Sequence, residues 1–325
     1  MDYKYHCKQR LTSAYLSPTL VAAWHGKSRW GCWWASLELV KLAPLMRLTQ
    51  GRPEIAIGLI DGPVNIGHPG FGTARFREVA GNGGGCLRNG SEACTHGTLV
   101  AGVLAAKRGT AIPAICPGCT FLVRPIFREA ASANGATMAT PEAMATAVID
   151  VVDAGARAVN LSVGLINPSP RGVAELNGSL DYAARRGVVC VVAAGNQGNV
   201  GGSVLTRHPW VIPVAGCDGV GRPTSESNLG SAIGLRGLRA PGIGVTSLRA
   251  DGGLGSFGGT SAAAPFVTGT IALLLSLFPM ASATQLRSVI ANAAGAARRT
   301  VVPPLLDAWT AYQLLAAGGH ARAAS

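Results

Sequence analysis

PEAMATAVIDVVDAGARAVNLS (Pro141–Ser162), followed by LDYAARRGVVCVVA (Leu180–Ala193), decides the fold class. Each stretch reads as a helical pattern leading into a short apolar strand: helix Pro141–Ala154 then strand Ala158–Ser162, helix Leu180–Arg186 then strand Val188–Ala193. Val188–Ala193 is continuously apolar rather than alternating, so both of its faces must be covered. Strands of that kind separated by helices belong to a parallel sheet with helices on both sides. Working outward, Glu54–Asp61 and Phe121–Ile126 read as further strands, with a helix at Thr98–Ala106 between them. Downstream come strands Val211–Ala215 and Val245–Leu248 and helices Ala262–Phe278 and Thr284–Ala294. The expected class is α/β, with a mostly parallel central sheet and helices on both faces.

Composition narrows the function. Of 325 residues, 48% are hydrophobic and 14% charged, which excludes intrinsic disorder. The apolar run Ile271–Phe278, broken only by Ser276, is far shorter than the roughly 20 residues that cross a bilayer, so no membrane span is expected. The net charge of +12 could mark a nucleic-acid partner, but the arginines are scattered, with only Arg185-Arg186 and Arg298-Arg299 adjacent. No nucleic-acid partner is expected. The polar stretch Met1–Arg10 leads into no apolar signal core, which favours a cytoplasmic chain. Residues 1–50, carrying Trp24, Trp30, Trp33 and Trp34, read as an appendage to a domain spanning 51–325.

In open α/β sheets, reactive side chains gather at the carboxyl ends of strands and the amino ends of the helices that follow. Four capable residues stand at such places: Asp61 ends the first strand, Asn196 follows Val188–Ala193, and His96 and Ser261 each open a helix. In FGGTSAAAP (Phe257–Pro265) the chain passes from a glycine loop into a helix. Ser261 there offers an outward hydroxyl and a backbone N–H at the positive helix end. Pro265 reads as a first-turn residue that marks the helix start. Each of the four has an ordinary structural reading by itself: a capping serine, a helix-start histidine, a turn carboxylate in Asp-Gly-Pro, a turn asparagine. Together they fill every role in acyl transfer, namely nucleophile, base, orienting carboxylate and oxyanion donor.

The order and setting of these residues, in GLIDGPVN (Gly58–Asn65), THGTLVAG (Thr95–Gly102), AAGNQGN (Ala193–Asn199) and GTSAAAPFVTG (Gly259–Gly269), resemble the subtilisin-like serine proteases. The resemblance runs from Glu54 to Ala294 and makes 51–325 a subtilisin-like peptidase domain. It implies that Ser261 is the nucleophile, His96 the general base and then acid, Asp61 the orienting carboxylate, and Asn196 the side-chain oxyanion donor. Val159–Gly164 resembles the strand that pairs with substrate backbone. Ser162, Val163, Gly164, Ala193, Ala194 and Gly195 would then wall the pocket for the residue before the cut. Ala262–Ala264 are plainer than the family's usual Met-Ala or Phe-Ala after the serine. Asp-Gly-Pro-Val, His68-Pro69 and ICPGCTFLVRPIF (Ile115–Phe127) are further similar to the cyanobactin-maturation proteases, which process ribosomal peptide precursors.

The expected activity is therefore serine endopeptidase, acting on a peptide or protein substrate through an acyl-enzyme. The alternatives are a catalytically silent peptide-binding domain and a peptide macrocyclase. A nucleotide-binding protein is excluded by the lack of a Gly-x-Gly-x-x-Gly turn and of a P-loop. With 16 acidic residues and no EF-hand-like loop, neither a metal nor a cofactor is expected. Cys116-Pro-Gly-Cys119 has redox or metal spacing but no second ligand pair for zinc. At least one disulfide is expected among Cys86, Cys94, Cys116 and Cys119, while Cys190 and Cys217 read as core. Only 34 residues separate Asp61 from His96, and they include Pro63, Pro69 and the glycine run Gly81–Gly85. That is too little chain for a helical lid, so an open cleft, water as acceptor and linear products are expected.

Overall fold

The computed structural model describes residues 31–79, 86–87, 90–127, 138–165, 169–293, 295 and 300–323. The chain divides into two compact units, Met1–Gly31 and Cys32–Ser325. Trp24, Trp30 and the run Gly81–Gly85 lie outside the described residues.

In chain order the first elements are helices α1 (Gly31–Leu39) and α2 (Leu42–Leu48), then strands β1 (Ala56–Asp61) and β2 (Arg75–Glu78). Helix α3 (Glu92–Ala105), strands β3 (Thr120–Pro125) and β4 (Met138–Ala139) and helix α4 (Pro141–Asp153) follow. Next come β5 (Ala158–Leu161), β6 (Gly164–Leu165), α5 (Pro170–Arg185), β7 (Val189–Ala193), α6 (Val204–Arg207), β8 (Ile212–Cys217) and α7 (Ser231–Arg236). The chain closes with β9 (Leu238–Pro241), β10 (Val245–Leu248), β11 (Leu254–Phe257), α8 (Thr260–Leu277), α9 (Ala283–Ala293) and α10 (Ala308–Ala323).

Seven strands form one sheet in the order β2-β3-β1-β5-β7-β8-β9, every neighbouring pair parallel. Alternate side chains explain why its strands read as unbroken apolar runs. Ile57 and Leu59 of β1 and Val189 and Val191 of β7 join the cluster beneath α3 and α8. Ile60, Cys190 and Val192 from the same strands join the opposite cluster beneath α4 and α5. A period of two with both faces buried leaves such a strand no solvent-facing position, and the polar residues that β1 and β5 do hold, Asp61 and Asn160, are buried. The α/β class is thus the observed one.

Several local expectations change. Val245–Leu248 is a strand but stands outside the parallel sheet, paired antiparallel with β11, because a short apolar run does not state its partner. Helix α3 begins at Glu92, capped by the Ser91 hydroxyl accepting from the Cys94 N–H at 3.1 Å. His96 therefore sits in its second turn rather than at its start. By length and composition α8 could cross a membrane, which no apolar run suggested. Every residue from Thr260 to Ser276 is buried against the sheet, so here it is a core helix. Pro265 lies inside α8, beyond the first turn. Before β1, Leu37, Val40, Leu42 and Leu45 are fully buried in the same cluster as α8.

Candidate active site

Asp61, the last residue of β1, is 1% exposed. Its Oδ1 accepts from His96 Nδ1 at 2.6 Å and from the Gly62 N–H at 2.6 Å. A carboxylate only accepts, so this contact assigns the proton to Nδ1 and leaves Nε2 as the histidine's acceptor. Glycine makes the approach possible. A Cβ on Gly62 would lie 2.0 Å from the Ala93 carbonyl oxygen, and one on Gly97 would lie 2.4 Å from those of Gly62 and Pro63. With glycine at both positions, α3 rests directly on the chain leaving β1. Burial disfavours the charged imidazole, but the Asp61 charge and hydrogen bond outweigh it and hold the His96 pKa above the ordinary 6.5. Two residues before His96, Cys94 is joined to Cys86 by a disulfide with Cα atoms 5.6 Å apart.

Ser261 is the second residue of α8. Gly259 precedes the helix with φ +79°, and its N–H donates to the Gly242 carbonyl at 2.8 Å. The Ser261 hydroxyl donates to the Ser162 carbonyl at 3.2 Å, and among the described residues no hydrogen bond joins it to His96. Asn196 lies beside this turn. Its Oδ1 accepts from the Thr260 N–H at 2.8 Å and from Thr260 Oγ1 at 2.9 Å, which assigns the amide orientation and leaves its NH₂ free to donate. Thr260 Oγ1 also accepts from the Gly195 N–H at 3.1 Å.

The loop that carries Asn196 is templated by Asn228, a residue that sequence reading passed over because it lies in no catalytic motif. Asn228 Oδ1 accepts from the N–H groups of Gln197 and Asn199 at 3.1 and 3.0 Å, and its Nδ2 donates to the Ala194 carbonyl at 3.2 Å. Its own N–H donates to the Gly195 carbonyl at 2.9 Å. Gly195 has φ +105°, and a Cβ there would meet Asn228 Nδ2 at 2.4 Å. Ala193 and Ala194 are buried. Across from them, Ser162 and Val163 are buried, while Gly164 is exposed and pairs with Met138 of β4.

The six expected pocket residues thus lie at or just beyond the carboxyl ends of the adjacent strands β5 and β7, with Gly164 opening β6. Asp61 is hydrogen-bonded to His96, and Asn196 and Ser162 both contact the start of α8. Cys116 and Cys119 are free and buried, as are Cys190 and Cys217, whose thiols burial pushes up to about 12. The disulfide expected among Cys86, Cys94, Cys116 and Cys119 is Cys86–Cys94. Among the described residues no three His, Cys, Asp or Glu side chains converge as metal ligands.

A serine at the head of a core helix, with a buried aspartate at the end of a central strand hydrogen-bonded to a histidine of α3, defines the chain as a serine protease of α/β architecture. More narrowly, it belongs to the Subtilase family, which it matches over residues 52–312. It is 29% identical to subtilisin DY of Bacillus licheniformis over 266 residues, covering 79% of this chain and 90% of that protein. It is 32% identical to fervidolysin of Fervidobacterium pennivorans over 220 residues, which is 62% of this chain but 31% of that protein. Among solved structures it is similar to the protease domain of PatA, with a TM-score of 0.75, 29% identity, and coverage of 82% of this chain and 97% of that one. It is also similar to the prenylagaramide maturation protease PagA, with a TM-score of 0.73, 26% identity, and coverage of 84% and 98%. The PatG macrocyclase, at 20% identity and a TM-score of 0.70, shares the fold.

Proposed function

We propose that this serine protease is an endopeptidase that trims a ribosomally made peptide precursor, with Asp61, His96 and Ser261 as its triad and Asn196 as oxyanion donor. The buried 2.6 Å hydrogen bond between Asp61 and His96 carries the reading. In the neutral ring it leaves Nε2 unprotonated, the form a general base needs. Ser261 Oγ turns from the Ser162 carbonyl, passes its proton to His96 Nε2 and attacks the scissile carbonyl. The developing oxyanion accepts from the Ser261 N–H at the start of α8 and from Asn196 Nδ2. The imidazolium, held by Asp61, then protonates the leaving amine, and water repeats the sequence to release the acyl group. Substrate backbone lies along the chain leaving β5, with Ser162–Gly164 and Ala193–Gly195 around the residue before the cut.

The precursor-processing part is supported by similarity to PagA and to the protease domain of PatA over more than four fifths of this chain. Linear rather than cyclic products are supported by the segment between Asp61 and Glu92. Its described residues form only a 3-10 turn at Pro69–Phe71 and strand β2, with no helical pair. The test is fluorophosphonate labelling with mass spectrometry of products from peptide precursors. Labelling should occur at Ser261 and vanish in Ser261→Ala, together with turnover. Near-native turnover by Ser261→Ala would overturn the triad. A main product lighter by one water than the hydrolysed fragment would overturn the linear outcome.

A further inference from the structure

Pro265 is the sixth residue of α8, so its position should donate a helical hydrogen bond to the carbonyl of Ser261, and proline has no N–H to give. That carbonyl belongs to the residue on which catalysis depends, and a buried carbonyl without a donor is costly. The missing bond is supplied from another element. Ser162 Oγ donates to the Ser261 carbonyl at 3.3 Å. Ser162 Oγ in turn accepts from Asn160 Nδ2 at 2.8 Å, and Asn160 Oδ1 accepts from Thr268 Oγ1 at 2.9 Å. Asn160 and Thr268 are both 0% exposed, and Ser162 is 1% exposed. Thr268 stands seven residues beyond Ser261, two turns along the same helix face. The relay therefore leaves α8 at Thr268, crosses the end of β5 and returns to α8 at Ser261.

Its direction is fixed at the return end, because the Ser261 carbonyl can only accept. If the Asn160 amide were flipped, Ser162 Oγ would have to donate to Asn160 Oδ1 and would abandon Ser261. Thr268 prevents this by donating to Oδ1. Ser162 meanwhile also receives the Ser261 hydroxyl on its backbone carbonyl, so the two serines are linked twice. We propose that Thr268 and Asn160 are positioning residues for catalysis: through Ser162 they replace the hydrogen bond that Pro265 removes and so set the first turn of α8, with the Ser261 N–H and Oγ, against the substrate strand. This rests on the reading of Ser261 as nucleophile.

Thr268→Val keeps the shape and deletes the donor. Expected are a fall in kcat and in fluorophosphonate labelling rate on the order of tenfold, the scale of one buried hydrogen bond, with a smaller change in KM. Thr268→Ser should restore both rates. Pro265→Ala returns a backbone N–H to the Ser261 carbonyl, so the cost of Thr268→Val should shrink in that background. Equal kcat in wild type and Thr268→Val would overturn the relay, and so would a full-sized loss in the Pro265→Ala background. If Thr268→Val does not accumulate as folded protein, Ser162→Ala with and without Pro265→Ala makes the same comparison. Ser261→Ala separates the two readings: activity in that variant overturns the nucleophile, whereas an inert Ser261→Ala beside an unaffected Thr268→Val overturns only the relay.

Discussion

One half of the site, Asp61 with His96, is held by backbone against backbone, while the other, Asn196 with Ser261, is held by side-chain hydrogen bonds. In the first, Gly62 and Gly97 let α3 rest on the carbonyls of the chain leaving β1, and the histidine arrives with its helix. In the second, Thr260 orients Asn196 and Asn228 braces the loop from Ala194 to Asn199. Backbone contact has no slack, since a missing 1 Å has nowhere to go. A hydrogen-bonded loop can lose one bond and settle nearby. The first half should therefore be intolerant of small additions and the second tolerant of small deletions.

Removing the chemical group from each half gives the largest effects. His96→Ala should lower kcat on the order of 10⁶-fold, a magnitude carried over from subtilisin rather than derived from this geometry. Asn196→Ala should cost roughly 10²–10³-fold, likewise carried over from subtilisin, and should fall on kcat because the oxyanion exists only in the transition state. Steady-state kinetics on one peptide substrate checks both. If Asn196→Ala raised KM and left kcat intact, Asn196 would be a binding residue and the second half would have no catalytic member.

Disturbing only the supports is a sharper test of the contrast. An added methyl at Gly97 meets two backbone carbonyls at 2.4 Å, and relieving that means moving α3 by about 1 Å, a displacement that can cost ~10²-fold in rate. Gly97→Ala should lose that much and also melt earlier. Asn228→Ala leaves its loop with backbone pairing, including the Gly198 N–H to the Glu226 carbonyl and the Leu229 N–H to the Asn199 carbonyl. It should lose about tenfold, on the scale of one or two buried hydrogen bonds. In an Asn196→Ala background it should lose little more, because the two act through one donor. An Asn228→Ala variant more damaged than Gly97→Ala would break the comparison.

The same contrast explains what could be read from sequence. The central strands β1 and β7 were legible because burial on both faces leaves them almost wholly apolar. Strand β2, RFRE, and strand β9, LRAP, were not, since one is a polar edge and the other holds Arg239, whose guanidinium is spent on the carbonyls of Gly221 and Pro303. Asp61, Asn196 and Ser261 stand at strand or helix ends whose local chemistry marks them, and His96 is marked by its motif although it lies inside α3. Their supports do not. Asn228 and Thr268 act across the fold, at partners more than 25 residues away, and no local pattern announces such a contact. The start of α3 was misplaced for a related reason: Glu92–Gly97 lacks apolar periodicity and is held by the Ser91 cap and the Cys86–Cys94 disulfide instead. Pro265 looked like a first-turn residue because the donor that excuses it comes from Ser162, just beyond β5.

The smallest effect concerns that disulfide and the pH profile. Cys94 lies on the first turn of α3, two residues before His96, so the bridge to Cys86 steadies the helix end that carries the histidine. Closing so short a loop contributes about 2–3 kcal/mol in the chain-entropy account. A reducing compartment would withdraw it. The Asp61 contact holds the His96 pKa above 6.5, and catalysis needs the neutral ring, so activity should rise with pH along a limb centred above 6.5. Stability runs the other way: the charged pair's contribution is complete below 6.5 and is lost as pH rises through the folded value, so the active form is the one without it. Reduction, or Cys86→Ser, should let the helix end loosen, lengthen the contact to Asp61 and move the limb of kcat/KM down toward 6.5, with a change in maximal rate of only a few-fold. The measurement is kcat/KM against pH with and without reductant, beside a thiol count under denaturing, non-reducing conditions. A limb that stays put after the two thiols are shown to be free would mean that the glycine contacts hold His96 unaided, which is the stronger form of the contrast between the two halves.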